Sequence, residues 1–347
     1  MTNKYSINSI DERVSRITGN DNPSLVYAAY ADSSWDKFIS ALNLLETCFA
    51  SNNLVPSWPL SASDVSFFIH WCTFERGLTA DTIKSYMSNL RLIHKLRNLD
   101  TSNCESFLCK AEIRGVKNLQ FYSDKEDGTK KVMTLPILRL LGHEIAVSEW
   151  PENSKILVWS AFTLAFWGSF RMGELLPKNE NTFNKYETLL WSDLRFVDDD
   201  SMQIHIKIPK TRTVNGEYVS IFSFPHYNCC PVQAIKCLMH KMKANLYMDS
   251  PIFAYRSDQF LTMNKLNGIL ENLLEPHLGK DAKLYSCKSF RAALPSALAA
   301  FPNLGNKLAI KRWGRWNSEA FERYTRLNHN AKKEIFAHFS EAVSKNR

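Results

Sequence analysis

The chain has 347 residues, of which 45% are hydrophobic and 22% are charged. This composition is typical of a folded protein and excludes an intrinsically disordered chain, and the length favours two domains. Lysine and arginine number 43 against 35 aspartate and glutamate, so the formal net charge is +8. Such a basic balance favours a polyanionic partner, of which nucleic acid is the usual one.

Three further features concern where the protein acts. The first residues lack the apolar stretch of a secretory signal. Residues 156–170 carry no charge, but this segment is shorter than the roughly 20 apolar residues that span a bilayer. We therefore expect that the protein has no membrane partner. We expect it to be nuclear if its source is a eukaryote and cytoplasmic if it is not. The eight cysteines form no Cys-x-x-Cys pair, which predicts reduced thiols and no metal site.

Residues 1–23 are predicted to form an N-terminal tail, and residues 24–120 a first domain. Between residues 35 and 49 the apolar side chains recur at spacings of three and four, as in a helix with one buried face. Ser61 predicts the cap of a second helix, and Thr79 the cap of a third that runs to about residue 97. The first domain is therefore predicted to be helical throughout.

The third helix has two distinct faces. Its inward face is predicted to carry Ile83, Met87, Leu90 and Ile93. The opposite face carries a basic stripe of residues at i, i+4, i+7 and i+11, namely Lys84, Ser88, Arg91 and Lys95. A solvated surface is the alternative interpretation of such a stripe. No acidic residue is expected to interrupt it, which favours contact with DNA phosphates.

Residues 121–134 are polar, charged and glycine-containing, which predicts an interdomain linker. The second domain is then predicted to occupy residues 135–347, with Pro136 in the first turn of its first helix. The helix from about residue 154 to residue 170 is apolar on nearly all sides. It should therefore lie in the middle of the second core.

A β-hairpin is predicted after this buried helix. Residues 202–208 alternate between apolar and polar, Asn215-Gly216 predicts a turn, and residues 218–224 form the second strand. Residues 189–197 are a candidate third strand. From Pro231 onward the pattern is helical, with breaks around Asp249, Gly279 and Gly314. The predicted fold class is mainly α with one small antiparallel β-sheet.

Four residues of the second domain carry groups suited to phosphodiester chemistry. Arg171 follows the apolar helix, and Glu174 is near enough in sequence to hold it. Lys210 follows the alternating strand, Arg291 adjoins apolar sequence, and Tyr324 lies near the C-terminus. Taken singly, each has a structural explanation: an ion pair, a lysine in a hairpin loop, or an ordinary tyrosine. Their order and context distinguish them.

Together these residues resemble the tyrosine recombinase (phage integrase) family, and the resemblance covers most of the chain. The family pattern is an Arg followed three residues later by Glu or Asp, a hairpin Lys, and then His-x-x-Arg. A His or Trp lies nine residues before a C-terminal Tyr. The Gly77-Leu78-Thr79 entry to the basic helix also fits. The resemblance implies a helical core-binding domain that binds DNA, followed by an α+β catalytic domain.

The resemblance also implies a role for each residue. Tyr324 is the nucleophile that forms a 3′-phosphotyrosine, so the bond energy is kept and neither ATP nor any other cofactor is required. Arg171 and Arg291 bind the phosphate through charged hydrogen bonds, and Glu174 supports Arg171. Lys210 gives a proton to the departing sugar hydroxyl.

Two positions depart from the family pattern, and a third residue is unexpected. Lys288 stands where the family has His, and it can donate a hydrogen bond to a phosphate oxygen. Arg315 stands nine residues before the tyrosine, and either Arg315 or Trp316 can buttress the phosphate. Pro295 is unexpected because in a helix it would remove the bond to the carbonyl of Arg291. The run of residues 314–316 most resembles the recombinases of eukaryotic mobile elements, the Crypton and DIRS-type group.

The expected partner is double-stranded DNA, bound by a homotetramer that joins two DNA sites. Residues 331–343 are predicted to form an amphipathic helix, and in the resembling family such a tail docks into a neighbouring subunit. Packing within the same subunit is the alternative. Two other functions stay open: a type IB topoisomerase, which shares the tyrosine chemistry, and a protein that binds DNA without cutting it.

Overall fold

The computed structural model describes residues 14–19, 24–122, 130–209, 215–224, 228–242, 248–299 and 307–315. The chain divides into two compact units, Met1–Asp127 and Gly128–Arg347. Each unit has its own cluster of buried hydrophobic side chains. In the part of the chain that the structure describes, no helix combines the length and the apolar character that crossing a membrane requires.

The first unit is built from helices, as predicted. They are α1 (Ser24–Ala28), α2 (Asp32–Ala50), α3 (Ala62–Phe74), α4 (Ala80–Leu96) and α5 (Phe107–Tyr122). The spacing pattern of α2 is confirmed, because Trp35, Phe38, Leu42, Leu45 and Phe49 are all buried. The inward face of α4 is confirmed in the same way. Helix α5 continues to Tyr122, two residues past the predicted end of the domain.

Local hydrogen bonds explain where two of these helices begin. Ser61 caps α3 by accepting the N–H of Asp64, whose carboxylate in turn accepts the N–H of Ser61. The hydroxyl of Thr79 accepts the N–H of Thr82 at the start of α4. Both caps were predicted from the sequence, because a cap needs only residues a few positions apart.

A buried histidine joins α4 to the segment that precedes α3. The Nδ1 atom of His94 lies 2.7 Å from the carbonyl oxygen of Leu90, and Nε2 lies 3.0 Å from the backbone nitrogen of Leu60. Nε2 must therefore accept, which makes the ring neutral with its proton on Nδ1. Burial lowers the pKa of His94, in agreement with a neutral ring. His94 thus serves the structure of the first unit.

The helices of the second unit surround one central helix. They are α6 (Leu135–Val147), α7 (Glu152–Trp167), α8 (Met172–Leu175), α9 (Pro231–Met242), α10 (Met263–Leu278), α11 (Cys287–Arg291), α12 (Ala293–Ala299) and α13 (Lys307–Trp313). Helix α7 packs against α6, α9 and α11 and is buried along most of its length, as predicted. It ends at Trp167 rather than at residue 170, because Gly168 follows and Ser169 has a φ of 47°.

The predicted hairpin is part of a three-stranded antiparallel sheet. Its strands are β1 (Leu194–Phe196), β2 (Ser201–Ile206) and β3 (Glu217–Phe222), in the order β1-β2-β3. The register pairs Ile206 with Glu217. Gly216 has a φ of 69°, and a Cβ atom there would lie 2.5 Å from the carbonyl oxygen of Ile206. The turn at this position therefore requires glycine.

One prediction for the second unit was wrong. The chain after Pro231 is not helical throughout, because β4 (Ala254–Arg256) and β5 (Gln259–Phe260) pair in a second antiparallel sheet. These strands have three and two residues, which is too short for an alternating pattern to be recognised. The fold is therefore mainly α with two small sheets rather than one.

The unexpected Pro295 is explained by a break in the helix. Helix α11 ends at Arg291, and α12 begins anew at Ala293. Pro295 therefore lies in the first turn of α12, where the absence of its N–H removes no helical hydrogen bond. Arg291 is placed at the end of a short helix, directly before this break.

Candidate active site

Arg171 and Glu174 form the ion pair that their spacing predicted. Glu174 Oε1 accepts a hydrogen bond from Arg171 Nη1 at 2.8 Å, and Oε2 accepts one from the Arg171 backbone N–H at 3.0 Å. The Glu174 side chain is 5% exposed, whereas that of Arg171 is 32% exposed. The carboxylate is therefore enclosed, while the guanidinium of Arg171 keeps an accessible edge.

Arg291 links two distant backbone segments. Its Nη1 donates to the carbonyl oxygen of Ser169, and its Nη2 donates to that of Gly314 at 2.6 Å. Ser169 precedes α8 by three positions, and Gly314 directly follows α13. The Arg291 side chain is buried. Its planar fork thus holds the chain segments before Arg171 and before Arg315 together.

Arg315 contacts two carboxylates from different elements. Nη2 lies 2.7 Å from Glu174 Oε2, and Nη1 lies 3.3 Å from Glu217 Oε2 at the start of β3. The guanidinium also covers the ring of Phe170, with 5.0 Å between the guanidinium carbon and the ring centroid. The Nε atom is buried and has no hydrogen-bond partner among the residues that the structure describes. Both Nη groups of Arg315 therefore serve carboxylates.

These contacts join three arginines and two glutamates into one arginine network, consisting of Arg171, Glu174, Arg291, Arg315 and Glu217. Burial alone would raise the pKa of Glu174. The charge of Arg315 and the hydrogen bonds from Arg315 and Arg171 outweigh burial, so that pKa is lowered. Three guanidinium groups against two carboxylates leave an excess of one positive charge, which suits an anionic ligand.

Among the described residues, one predicted site residue of this unit lies outside the network. The side chain of Lys288 is exposed on α11, three residues before Arg291. Lys210, Trp316 and Tyr324 lie outside the described residues. Conversely, the sequence did not single out Glu217 as a site residue. It directly follows the predicted Asn-Gly turn, but nothing in the local pattern distinguishes it from a solvated glutamate.

The basic stripe of α4 is largely exposed in the first unit, as predicted for Lys84, Ser88 and Lys95. Arg91 differs because it forms an ion pair with Glu105. The expectation that no acidic residue interrupts the stripe was therefore wrong. Glu105 comes from the short 3-10 helix Asn103–Glu105, outside α4, so the pattern of one helix could not reveal it.

A second row of basic residues faces the stripe. A groove of about 510 Å³ lies between α4 and α5, and its lining includes Lys110, Arg114 and Lys117 of α5. We call it the basic groove, with Lys84, Ser88 and Arg91 on its α4 side. The α5 residues repeat the i, i+4, i+7 spacing of the stripe. This spacing is visible in the sequence and is the signal that could have indicated the second row.

Several solved structures share this fold. XerH recombinase bound to its palindromic difH substrate matches with a TM-score of 0.61 and 13% identity, over 96% of this chain and 89% of that one. The Tn1549 transposon integrase in complex with transposon right end DNA matches with a TM-score of 0.58 and 13% identity, over 97% and 100%. A lambda integrase dimer bound to a COC′ core site matches with a TM-score of 0.52 and 13% identity, over 93% of this chain and 78% of that one.

These likenesses show that the chain has the tyrosine recombinase fold, as the sequence predicted. No protein-family model matches the sequence, and no curated protein sequence matches it either. The resemblance is thus one of backbone arrangement, at 13% sequence identity.

Proposed function

We propose that this chain is a site-specific DNA recombinase that cleaves and rejoins strands through a 3′-phosphotyrosine intermediate. The observation that carries the proposal is the arginine network, in which Glu174 holds Arg171 and Arg315 and Arg291 is bonded to the carbonyl of Gly314, directly before Arg315. The network belongs to a chain with the tyrosine recombinase fold. Its natural substrate would be the ends of a mobile element that is integrated or excised.

The proposed reaction uses the network to bind the scissile phosphate. The exposed edge of Arg171 donates to a non-bridging oxygen, and Arg291 completes the positive environment in which charge builds up during attack. The phenolic oxygen of Tyr324 gives up its proton to solvent and attacks the phosphorus, and the bond to the 5′ oxygen breaks. That oxygen takes a proton from Lys210 and leaves as a hydroxyl. Attack by another 5′-hydroxyl then releases the tyrosine and restores the DNA backbone.

Two further residues have supporting roles in this proposal. Lys288 is exposed one turn before Arg291, where its ammonium can donate to another phosphate oxygen. Trp316 follows Arg315 directly and would pack against the phosphate. Neither role requires a metal ion or an organic cofactor.

Binding of duplex DNA to the basic groove gives a testable salt dependence. Replacing Lys84, Arg114 and Lys117 with Gln should lower the slope of log affinity against log salt by about 0.9 for each phosphate that is no longer neutralised, or about 2.7 in all. Fluorescence anisotropy with a duplex at several salt concentrations measures this slope. Lys37→Gln removes an exposed charge of α2, away from the groove, and serves as the control. An unchanged slope in the triple variant would make the groove an ordinary solvated surface.

The assembly that we propose is a homotetramer on two DNA sites, held together by the tail helix at residues 331–343. These residues lie outside the described part of the chain. Deleting residues 331–347 should preserve binding to one site and remove the complex that pairs two sites, as measured by native gel shift and light scattering. If the truncated protein still pairs two sites, the tail packs within its own subunit.

A protein that binds DNA without cutting it is the second candidate. It is favoured by Lys288 and Arg315, which replace the residues of the family pattern, and by the pairing of Arg315 with two carboxylates. A suicide substrate that traps the covalent DNA adduct separates the two candidates. A type IB topoisomerase would form the adduct too, but it would relax supercoiled DNA as a monomer and would not join two sites.

A further inference from the structure

Arg315 was one of two residues that could buttress the scissile phosphate, yet both of its Nη groups contact protein carboxylates. Nη2 contacts Glu174 of α8, and Nη1 contacts Glu217 of β3, while the side chain is only 8% exposed. We propose that Arg315 is a positioning residue that fastens the β2–β3 hairpin to the phosphate-binding arginines. This inference rests on the proposed strand-cleaving function.

We call Arg315 and its two carboxylates, Glu174 and Glu217, the clamp. The first half of the clamp acts on Arg171 through Glu174. Both oxygens of the Glu174 carboxylate are occupied, Oε1 by Arg171 Nη1 and Oε2 by the Arg171 N–H and Arg315 Nη2. Because Arg315 holds Oε2, the carboxylate cannot rotate without breaking a charged hydrogen bond. A fixed carboxylate in turn fixes the guanidinium of Arg171, which lies three residues earlier in the chain.

The second half of the clamp acts on the hairpin. Glu217 begins β3 and pairs in register with Ile206, the last residue of β2. The chain between these two residues contains Lys210, which is the proposed acid. Holding Glu217 therefore holds the strand ends from which the segment with Lys210 departs. The clamp would fix these strand ends relative to the arginines.

The backbone at Arg315 is held by hydrogen bonds, so the position from which its side chain extends is fixed. Arg315 has a φ of 55°, in the left-handed region, and its N–H donates to the carbonyl of Arg312. The preceding Gly314 carbonyl accepts from Arg291 Nη2. The stacking of the guanidinium on Phe170 holds its plane. Arg291 thus fixes the backbone next to Arg315, and the two carboxylates fix its guanidinium.

A double-mutant cycle of Arg315→Lys and Glu217→Gln tests the clamp. Adduct formation is followed in single turnover with saturating suicide substrate, and DNA affinity is measured separately. Each single variant should slow adduct formation about tenfold, since misplacement of reacting groups is costly, while affinity changes less than about twofold. The double variant should be no slower than the slower single variant. Glu187→Gln, which removes a surface ion pair with Lys178, should leave the rate unchanged.

The outcomes separate this inference from the function on which it rests. If the rate effects of the two substitutions multiply, the residues act independently and the clamp is overturned. The clamp is also overturned if the two substitutions are coupled in urea unfolding but not in the rate of adduct formation. If Arg315→Lys fails to fold, Glu217→Gln alone tests the clamp. Its carboxylate is 35% exposed, so we expect this variant to fold and both its rate of adduct formation and its DNA affinity to be measurable. An unchanged rate there overturns the proposal. Absence of any adduct from the unaltered protein would instead remove the proposed function, and the clamp with it.

Discussion

Tyr324→Phe is expected to reduce the covalent DNA adduct below detection while leaving DNA affinity within about twofold. The phenolic oxygen is the proposed nucleophile, and phenylalanine keeps the ring but has no atom that can attack phosphorus. The arginine network and the basic groove are untouched by this change, so binding should persist. The measurement is a nicked suicide duplex with a labelled strand, analysed by denaturing gel for the adduct and by anisotropy for affinity.

The matched controls are the next tyrosines that could act in its place. Burial raises the pKa of Tyr255 and of Tyr285, which makes both poorer nucleophiles. Tyr255→Phe and Tyr285→Phe should therefore retain the adduct. If the adduct survives in Tyr324→Phe and is lost in one of these variants, the nucleophile is that other tyrosine.

Glu174→Gln is expected to cost about 3 kcal/mol of unfolding free energy at neutral pH, because it leaves the buried guanidinium of Arg315 with only the more distant and partly exposed Glu217 as counter-ion. Glu174 neutralises both Arg171 and Arg315, and it is almost fully enclosed. Urea unfolding followed by circular dichroism measures the loss. Glu187→Gln at the exposed pair with Lys178 should cost less than about 1 kcal/mol. A similarly small cost at Glu174 would contradict the arginine network.

The same variant should alter the dependence of stability on pH. The folded pKa of Glu174 is lowered below its ordinary value of 4.5, although burial acts in the opposite direction. The stabilisation from its charge is therefore complete above that value and is lost as pH falls through the folded pKa. The difference in unfolding free energy between the unaltered protein and Glu174→Gln should shrink between pH 7 and pH 3. A constant difference would show that the charge of Glu174 is not what stabilises the site.

The features that the sequence predicted well are those that depend on residues close together in the chain. The buried face of α2, the caps at Ser61 and Thr79 and the Asn-Gly turn each involve a few neighbouring positions. The pairing of Arg171 with Glu174 belongs to this group, because three residues separate them in a helical turn. That the two residues pair at all follows from their spacing in the local backbone.

The rest of the site depends on contacts that no local pattern contains. Arg315 is 141 positions from Glu174 and 98 positions from Glu217, so neither ion pair has a spacing that indicates it. The acceptors of Arg291 are backbone carbonyls, which every residue type provides. The pairing of Arg91 with Glu105 was missed for the same reason. Only the fold identifies the partners of these arginines.

The double use of Arg315 has an evolutionary consequence. A relative with a neutral His or Trp at position 315 would leave Glu217 without this cation and Glu174 with Arg171 alone, which is unfavourable for carboxylates that lie close together. Replacements at positions 217 and 315 should therefore be correlated among descendants of a common ancestor. A glutamate at 217 should be inherited with a basic residue at 315.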